Sequence, residues 1–149
     1  MRKISEIIIH CSATYPSQDV SVKDIDTWHK AAGFTEIGYH FVVTRDGEIC
    51  SARVLSKVGA HCKGHNTGSI GVCYIGGLDA DGKPSDTRTK SQKESLLQLI
   101  EMLTRSYPVK NIYGHNEYSN KACPCFDVKQ EYEHIIRELP RKMYTIKFK

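Results

Sequence analysis

Ile4-Ser5-Glu6-Ile7-Ile8-Ile9-His10 is the stretch that decides the fold class. It is short, rich in β-branched side chains and closed by a polar turn, which is how a buried strand reads. Ser69 to Ile75 has the same character and ends at Gly76-Gly77; Val109 to Tyr113 is a shorter version ended by Gly114-His115. Helical signals stand between these strands. Ser21-Val22-Lys23-Asp24 resembles a capping box with Asp in the place of Glu. Behind it Val22, Ile25, Trp28 and Ala32 recur at helical spacing, and Gly33 is a stop. Thr89-Lys90-Ser91-Gln92 offers a second box, followed by Leu96, Leu97, Ile100 and Leu103 on one face as far as Tyr107-Pro108. A last helix is expected from Asp127 to Leu139, stopped by Pro140, and Tyr144, Ile146 and Phe148 alternate as a final edge strand would. Tyr39 to Thr44 and Glu48 to Ala52 flank Arg45-Asp46-Gly47, a hairpin signal. Strands alternating with helices, plus one hairpin, predict an α/β domain with a mixed central β-sheet flanked by helices.

The 149 residues suit a single domain over 1–149, with a short tail at 140–149. With 40% hydrophobic and 26% charged residues the chain reads as a soluble globule. A net charge of +4 is too weak to argue for nucleic acid, although polyanionic surfaces stay open. No segment approaches the roughly 18 apolar residues of a membrane span. The apolar run Ile7-Ile8-Ile9 is too short for a signal peptide, so the chain is expected to be cytoplasmic when synthesised, with its thiols reduced. Of the six cysteines, Cys50 and Cys73 lie in apolar strand-like runs and read as buried thiols. Cys123 and Cys125 differ, because they stand in a polar loop beside Lys121 and Pro124.

Two histidines, His10 and His115, end expected strands, and strand ends are where open α/β sheets bind ligands. Cys123 follows across a loop without apolar period. Two imidazoles and a thiolate suit zinc, and three protein ligands leave a fourth position for water, which separates a catalytic from a structural site. The chain has neither an H-E-x-x-H helix nor a C-x-x-C pair, so spacing alone leaves the two histidines open to an ordinary surface or hydrogen-bonding role.

Ile8-Ile9-His10-Cys11-Ser12-Ala13-Thr14 resembles the opening strand and first ligand of the zinc-dependent N-acetylmuramoyl-L-alanine amidases, which include the phage-lysozyme branch and the peptidoglycan recognition proteins. Trp28-His29-Lys30, Gly38-Tyr39-His40-Phe41, Arg45-Asp46-Gly47, Ser69-Ile70-Gly71-Val72 and Gly76-Gly77 follow in the order of that family. Gly114-His115-Asn116-Glu117 and Lys121-Ala122-Cys123-Pro124 match its second and third ligand motifs. The resemblance spans residues 5 to 138.

What it implies is one zinc ion, Zn2+, held by His10, His115 and Cys123, with Tyr39 and Lys121 as the polar side chains beside the metal. The implied reaction is hydrolysis of the amide between N-acetylmuramic acid and the first L-alanine of peptidoglycan. Lys121 would stabilise the developing oxyanion, and Tyr39 would orient the attacking water. His61 resembles a position lining the family's cleft, a candidate for substrate binding; Glu117 is a candidate partner for a ligand imidazole, and His29 and His134 read as bland helix positions. Cys125 is read as packing, because Lys121-x-Cys123-Pro124 fits the family's third ligand. The implied partners are peptidoglycan or muropeptides, met by a monomer, either after release to the cell wall or on imported fragments. Members that only bind the glycopeptide, or serve as regulatory scaffolds, are the rival reading; those that lose the metal typically lose a ligand, and here all three types are present.

Overall fold

The computed structural model describes residues 2–143. In chain order it has β1 (Glu6–Cys11), α1 (Val22–Ala31), β2 (Phe41–Val43), β3 (Ile49–Ser51), β4 (Ser69–Tyr74), α2 (Lys90–Ser106), β5 (Asn111–Gly114), a single 3-10 turn (His115–Glu117) and α3 (Val128–Met143). The strands form one sheet in the order β3-β2-β4-β1-β5. β2, β4, β1 and β5 run parallel, and β3 returns antiparallel to β2 as the hairpin motif requires.

β1 and β4 lie in the middle, which is why they are near-continuous apolar runs. Successive side chains take opposite faces. Ile7, Ile9 and Cys11 of β1 and Ile70, Val72 and Tyr74 of β4 pack against Leu96, Leu99, Ile100 and Leu103 of α2 and Val128, Tyr132 and Ile135 of α3. The opposite face carries Val42, Cys73 and Ile75 beneath Ile25 of α1 and Ile37. That second face is thinly covered, and it holds the site.

Both capping boxes form. Ser21 Oγ accepts the Asp24 N–H at 3.1 Å while Asp24 accepts the Ser21 N–H at 2.8 Å. On α2 the buried face uses Leu99 where Leu97 was expected; Leu97 is 39% exposed. Leu96, Leu99, Ile100 and Leu103 complete the i, i+3, i+4, i+7 row, and Leu97 is rotated about 100° out of it. Trp28 is likewise exposed, at 44%, leaving Ile25 as the buried residue of α1. Cys73 is buried as expected, but Cys50 is only half-buried, because β3 is an edge strand. α3 runs through Pro140 to Met143 instead of stopping. A proline removes one amide donor, and a helix already three turns long can tolerate that near its end. The edge strand expected from Tyr144, Ile146 and Phe148 lies outside the described residues.

Gln92 shows how α2 is docked. It is fully buried and occupies the third position of the helix. Its Nε2 donates to Ile75 O at 2.9 Å and Val43 O at 3.3 Å, and its Oε1 accepts from the Thr89 N–H and from Arg45 Nη1, both at 3.0 Å. The capping glutamine therefore also satisfies carbonyls at the ends of β2 and β4. Gln92→Leu should destabilise the fold by about 1–3 kcal/mol, since it strands several buried groups at once; the measurement is the urea unfolding midpoint.

Candidate metal centre

Ile9 of β1 pairs with Gly114 of β5, so the residues that follow, His10 on β1 and His115 at the start of the 3-10 turn, emerge at the same level. Their rings lie 4.7 Å apart between centroids. The third group arrives from the loop between the 3-10 turn and α3, where Cys123 Sγ accepts the Cys11 N–H at 3.1 Å. One ligand atom from each of His10, His115 and Cys123 lies within 4.8 Å of the others, and Cys125 is not part of this group. Its thiol instead donates to Gly77 O at 3.4 Å. All six cysteines are free thiols.

The protonation states suit metal binding. Burial pushes the pKa of His10 well below the usual imidazole range, with smaller contributions from His61, His115, His29 and Lys121. Burial also lowers His115, helped by the Lys121 charge. Both rings are therefore neutral near pH 7, as ligands must be. His10 Nε2 lies 2.8 Å from His61 Nδ1, and His61 Nε2 lies 3.2 Å from Ser69 Oγ, which donates to His65 O at 2.7 Å. The direction of that chain makes His61 the acceptor from His10 Nε2–H, which leaves Nδ1 of His10 with its lone pair free. Two neutral imidazoles and a thiol, with no fourth protein ligand in the group, form a donor set suited to zinc with one position open.

The other expected residues gather at the same cleft, a cavity of about 580 Å³ whose walls include His10, His29, Phe34, Tyr39, His61, His115 and Lys121. Tyr39 stands 5.0 Å from His10 between ring centroids and packs with the α1-side core. Unbroken strand alternation would put it on one face with Phe41 and Val43, but those two belong to the other core. β2 begins only at Phe41, so the pleat does not extend back to residue 39. His29, read as bland, is a cleft residue: its Nδ1 accepts the Gly38 N–H at 2.8 Å and its ring lies 5.2 Å from Tyr39. The signal for it was its place in Trp28-His29-Lys30. Glu117 accepts the Gly114 N–H at 2.7 Å and so holds the backbone of the 3-10 turn rather than an imidazole.

Gly71 of β4 explains why the strand carries a glycine here. A Cβ at Gly71 would lie 2.6 Å from the His61 ring, so the imidazole rests directly on backbone. Gly71→Ala should push His61 away from His10 and destabilise the fold by about 1–3 kcal/mol; imidazole NMR signals and a urea titration would report both. Next to it, fully buried His40 accepts the Gly71 N–H at Nδ1 (3.1 Å) and donates from Nε2 to Lys57 O (2.9 Å), and burial lowers its pKa from 6.5 to about 4. Below pH 6.5 the unfolded chain takes up a proton that the fold refuses, so stability falls as the pH drops from 6.5 to about 4. His40→Gln should flatten that part of the stability curve, measured by urea unfolding at a series of pH values.

Comparison with known proteins agrees with this geometry. Residues 1–126 match the family model described as N-acetylmuramoyl-L-alanine amidase. The endolysin of Escherichia phage T7 is 45% identical over 127 residues, which cover 85% of this chain and 84% of the relative. The endolysin of Klebsiella phage KP32 is 41% identical over 132 residues, 89% of this chain and 87% of the relative. Among solved structures, N-acetylmuramoyl-L-alanine amidase LysC from Clostridium intestinale URNW superposes with a TM-score of 0.76 at 26% identity, covering 93% of this chain and 86% of that one. Drosophila PGRP-LB shares the fold, with a TM-score of 0.72 at 23% identity over 94% of this chain and 83% of that one. With a family model matched over most of its length and two endolysins above 40% identity, this chain belongs to the N-acetylmuramoyl-L-alanine amidase family.

Proposed function

We propose that the cleft hydrolyses the amide bond between N-acetylmuramic acid and L-alanine in peptidoglycan, and that His10, His115 and Cys123 hold the zinc ion the reaction uses. The convergence of those three donors, with His10 and His115 lining a cleft that also contains Lys121, carries this reading. Bound there, zinc supplies Lewis-acid polarisation of the scissile carbonyl and lowers the pKa of water.

The chain's own residues supply the rest. Lys121 is held beside the centre by the short link to Cys123, and its ammonium faces negative charge growing on the carbonyl oxygen. Such a fixed positive group stabilises the transition state more than the substrate. Tyr39 keeps its proton, because burial raises its phenol well above 10. Its hydroxyl therefore acts as a hydrogen-bonding group that orients water and passes a proton, rather than as a phenolate. His61 and His29 form the wall against which the muropeptide lies. The donor trio is complete, which favours an enzyme over a module that only binds the glycopeptide. Among the described residues no helix is long and apolar enough to cross a membrane. The reading is of a monomer made in the cytoplasm that reaches the cell wall by release, as an endolysin would, with imported muropeptides as the other source of substrate.

Purified cell wall digested by the zinc-loaded chain should yield new L-alanine amino groups without new reducing sugar ends, and EDTA should stop the release. Reducing ends would identify a glycosidase instead. His10→Ala, His115→Ala and Cys123→Ala should each abolish release and lower zinc content. Lys121→Ala and Tyr39→Phe should keep the metal and lose about 10²–10³ in kcat.

A further inference from the structure

His10 stands on the central strand β1 and His115 directly follows the edge strand β5, but Cys123 stands on a loop. That loop is locally demanding. Cys125 has φ 72°, in the left-handed region that favours glycine, and its N–H donates to Ala122 O at 2.7 Å to close a turn around Cys123. The loop is held from the sheet side. Tyr74, the last residue of β4, is fully buried, and its hydroxyl donates to Pro124 O at 2.6 Å. Burial keeps that phenol protonated, so it is always a donor. Tyr74 pairs with Cys11 across the β1–β4 ladder. Two paired residues thus grip the third ligand at two points, the Cys11 amide at the sulfur and the Tyr74 hydroxyl at the following carbonyl. Beyond them, Phe126 is covered by the Arg88 guanidinium, 3.4 Å from the ring centroid.

We infer that Tyr74 is a positioning residue of the metal centre, whose hydroxyl bond to Pro124 O holds the Cys123 loop in its metal-binding arrangement. The inference rests on the zinc reading above. A ligand that must first be gathered from a mobile loop lowers apparent affinity by the fraction of chains in the competent state. Tyr74 keeps that fraction high before the metal arrives.

The test is Tyr74→Phe, which removes one oxygen and keeps the ring. Zinc affinity is read by competition with a chelator, the thiolate-to-metal charge-transfer band by cobalt substitution, and the melting temperature on the metal-free protein. Zinc should bind about tenfold more weakly, as for other residues that support a ligand from outside the coordination shell. The cobalt band should weaken or shift. If the Phe variant does not fold, hydrogen exchange on metal-free wild type serves: the Cys125 amide, which donates to Ala122 O, should be protected before metal is added, and free exchange there would overturn the inference. A variant with a lower metal-free melting temperature but wild-type zinc affinity and cobalt spectrum would mean a purely structural role and would overturn the inference. Failure of the zinc reading looks different: wild-type protein would take up no zinc, or Cys123→Ser would bind it as tightly as wild type. Either result overturns both.

Discussion

The pairing of Ile9 with Gly114 is the constraint on which the site depends. In a parallel ladder the register sets the level at which each strand ends, and a shift by one residue would turn every side chain to the other face. With the register as it is, His10, still on β1, and His115, the first residue of the 3-10 turn after β5, emerge together. β1 is apolar on both sides, so its position between β4 and β5 is enforced by burial, and the two imidazoles inherit the rigidity of the core. The site is therefore a by-product of sheet packing as much as a device of its own.

Around that rigid pair the polar supports are arranged in series. His61 rests on Gly71, takes the hydrogen of His10 and is backed by Ser69, all from one strand and the loop before it. Gln92 and Thr89 tie the start of α2 to the ends of β2 and β4. Arg88 has a side chain only 2% exposed between Asp86 and Glu131, and it links the approach to α2 with α3. Each buried polar group here has several partners, the condition under which such groups specify one arrangement instead of weakening it.

Much of this was legible in the sequence because it rests on local rules. The apolar runs of β1 and β4, both capping boxes and the Asp46-Gly47 hairpin are short-range signals, and each formed. The strand-end histidines were visible too, but their meeting was not, since it depends on which strands become neighbours. The resemblance of the ordered motifs supplied that step. Misreadings came where tertiary geometry overrides a pattern. Leu97 fits a helical face in isolation but is rotated out of the row that α3 and the sheet cover. Tyr39 alternates correctly only if the strand reaches it, and β2 is too short. His29 reads as a solvent-facing helix position until Gly38 and Tyr39 fold back against it. Nothing local marks Tyr74 as different from any buried strand tyrosine; its partner, Pro124, is visible only in three dimensions.

The candidate metal centre also draws its donors from distant parts of the chain. His10 is on the first strand, while His115 and Cys123 come after α2 and the last strand. During synthesis a nascent chain that has made the first four strands and two helices still owns one ligand of three. A chain truncated before β5 therefore lacks two of the three donors. An ion that binds only the finished fold adds about 2.7 kcal/mol of stability at a hundred times its dissociation constant. An ion held by His10, His115 and Cys123 would join the first strand to the loop before α3, so its supply would set part of the stability of the folded chain.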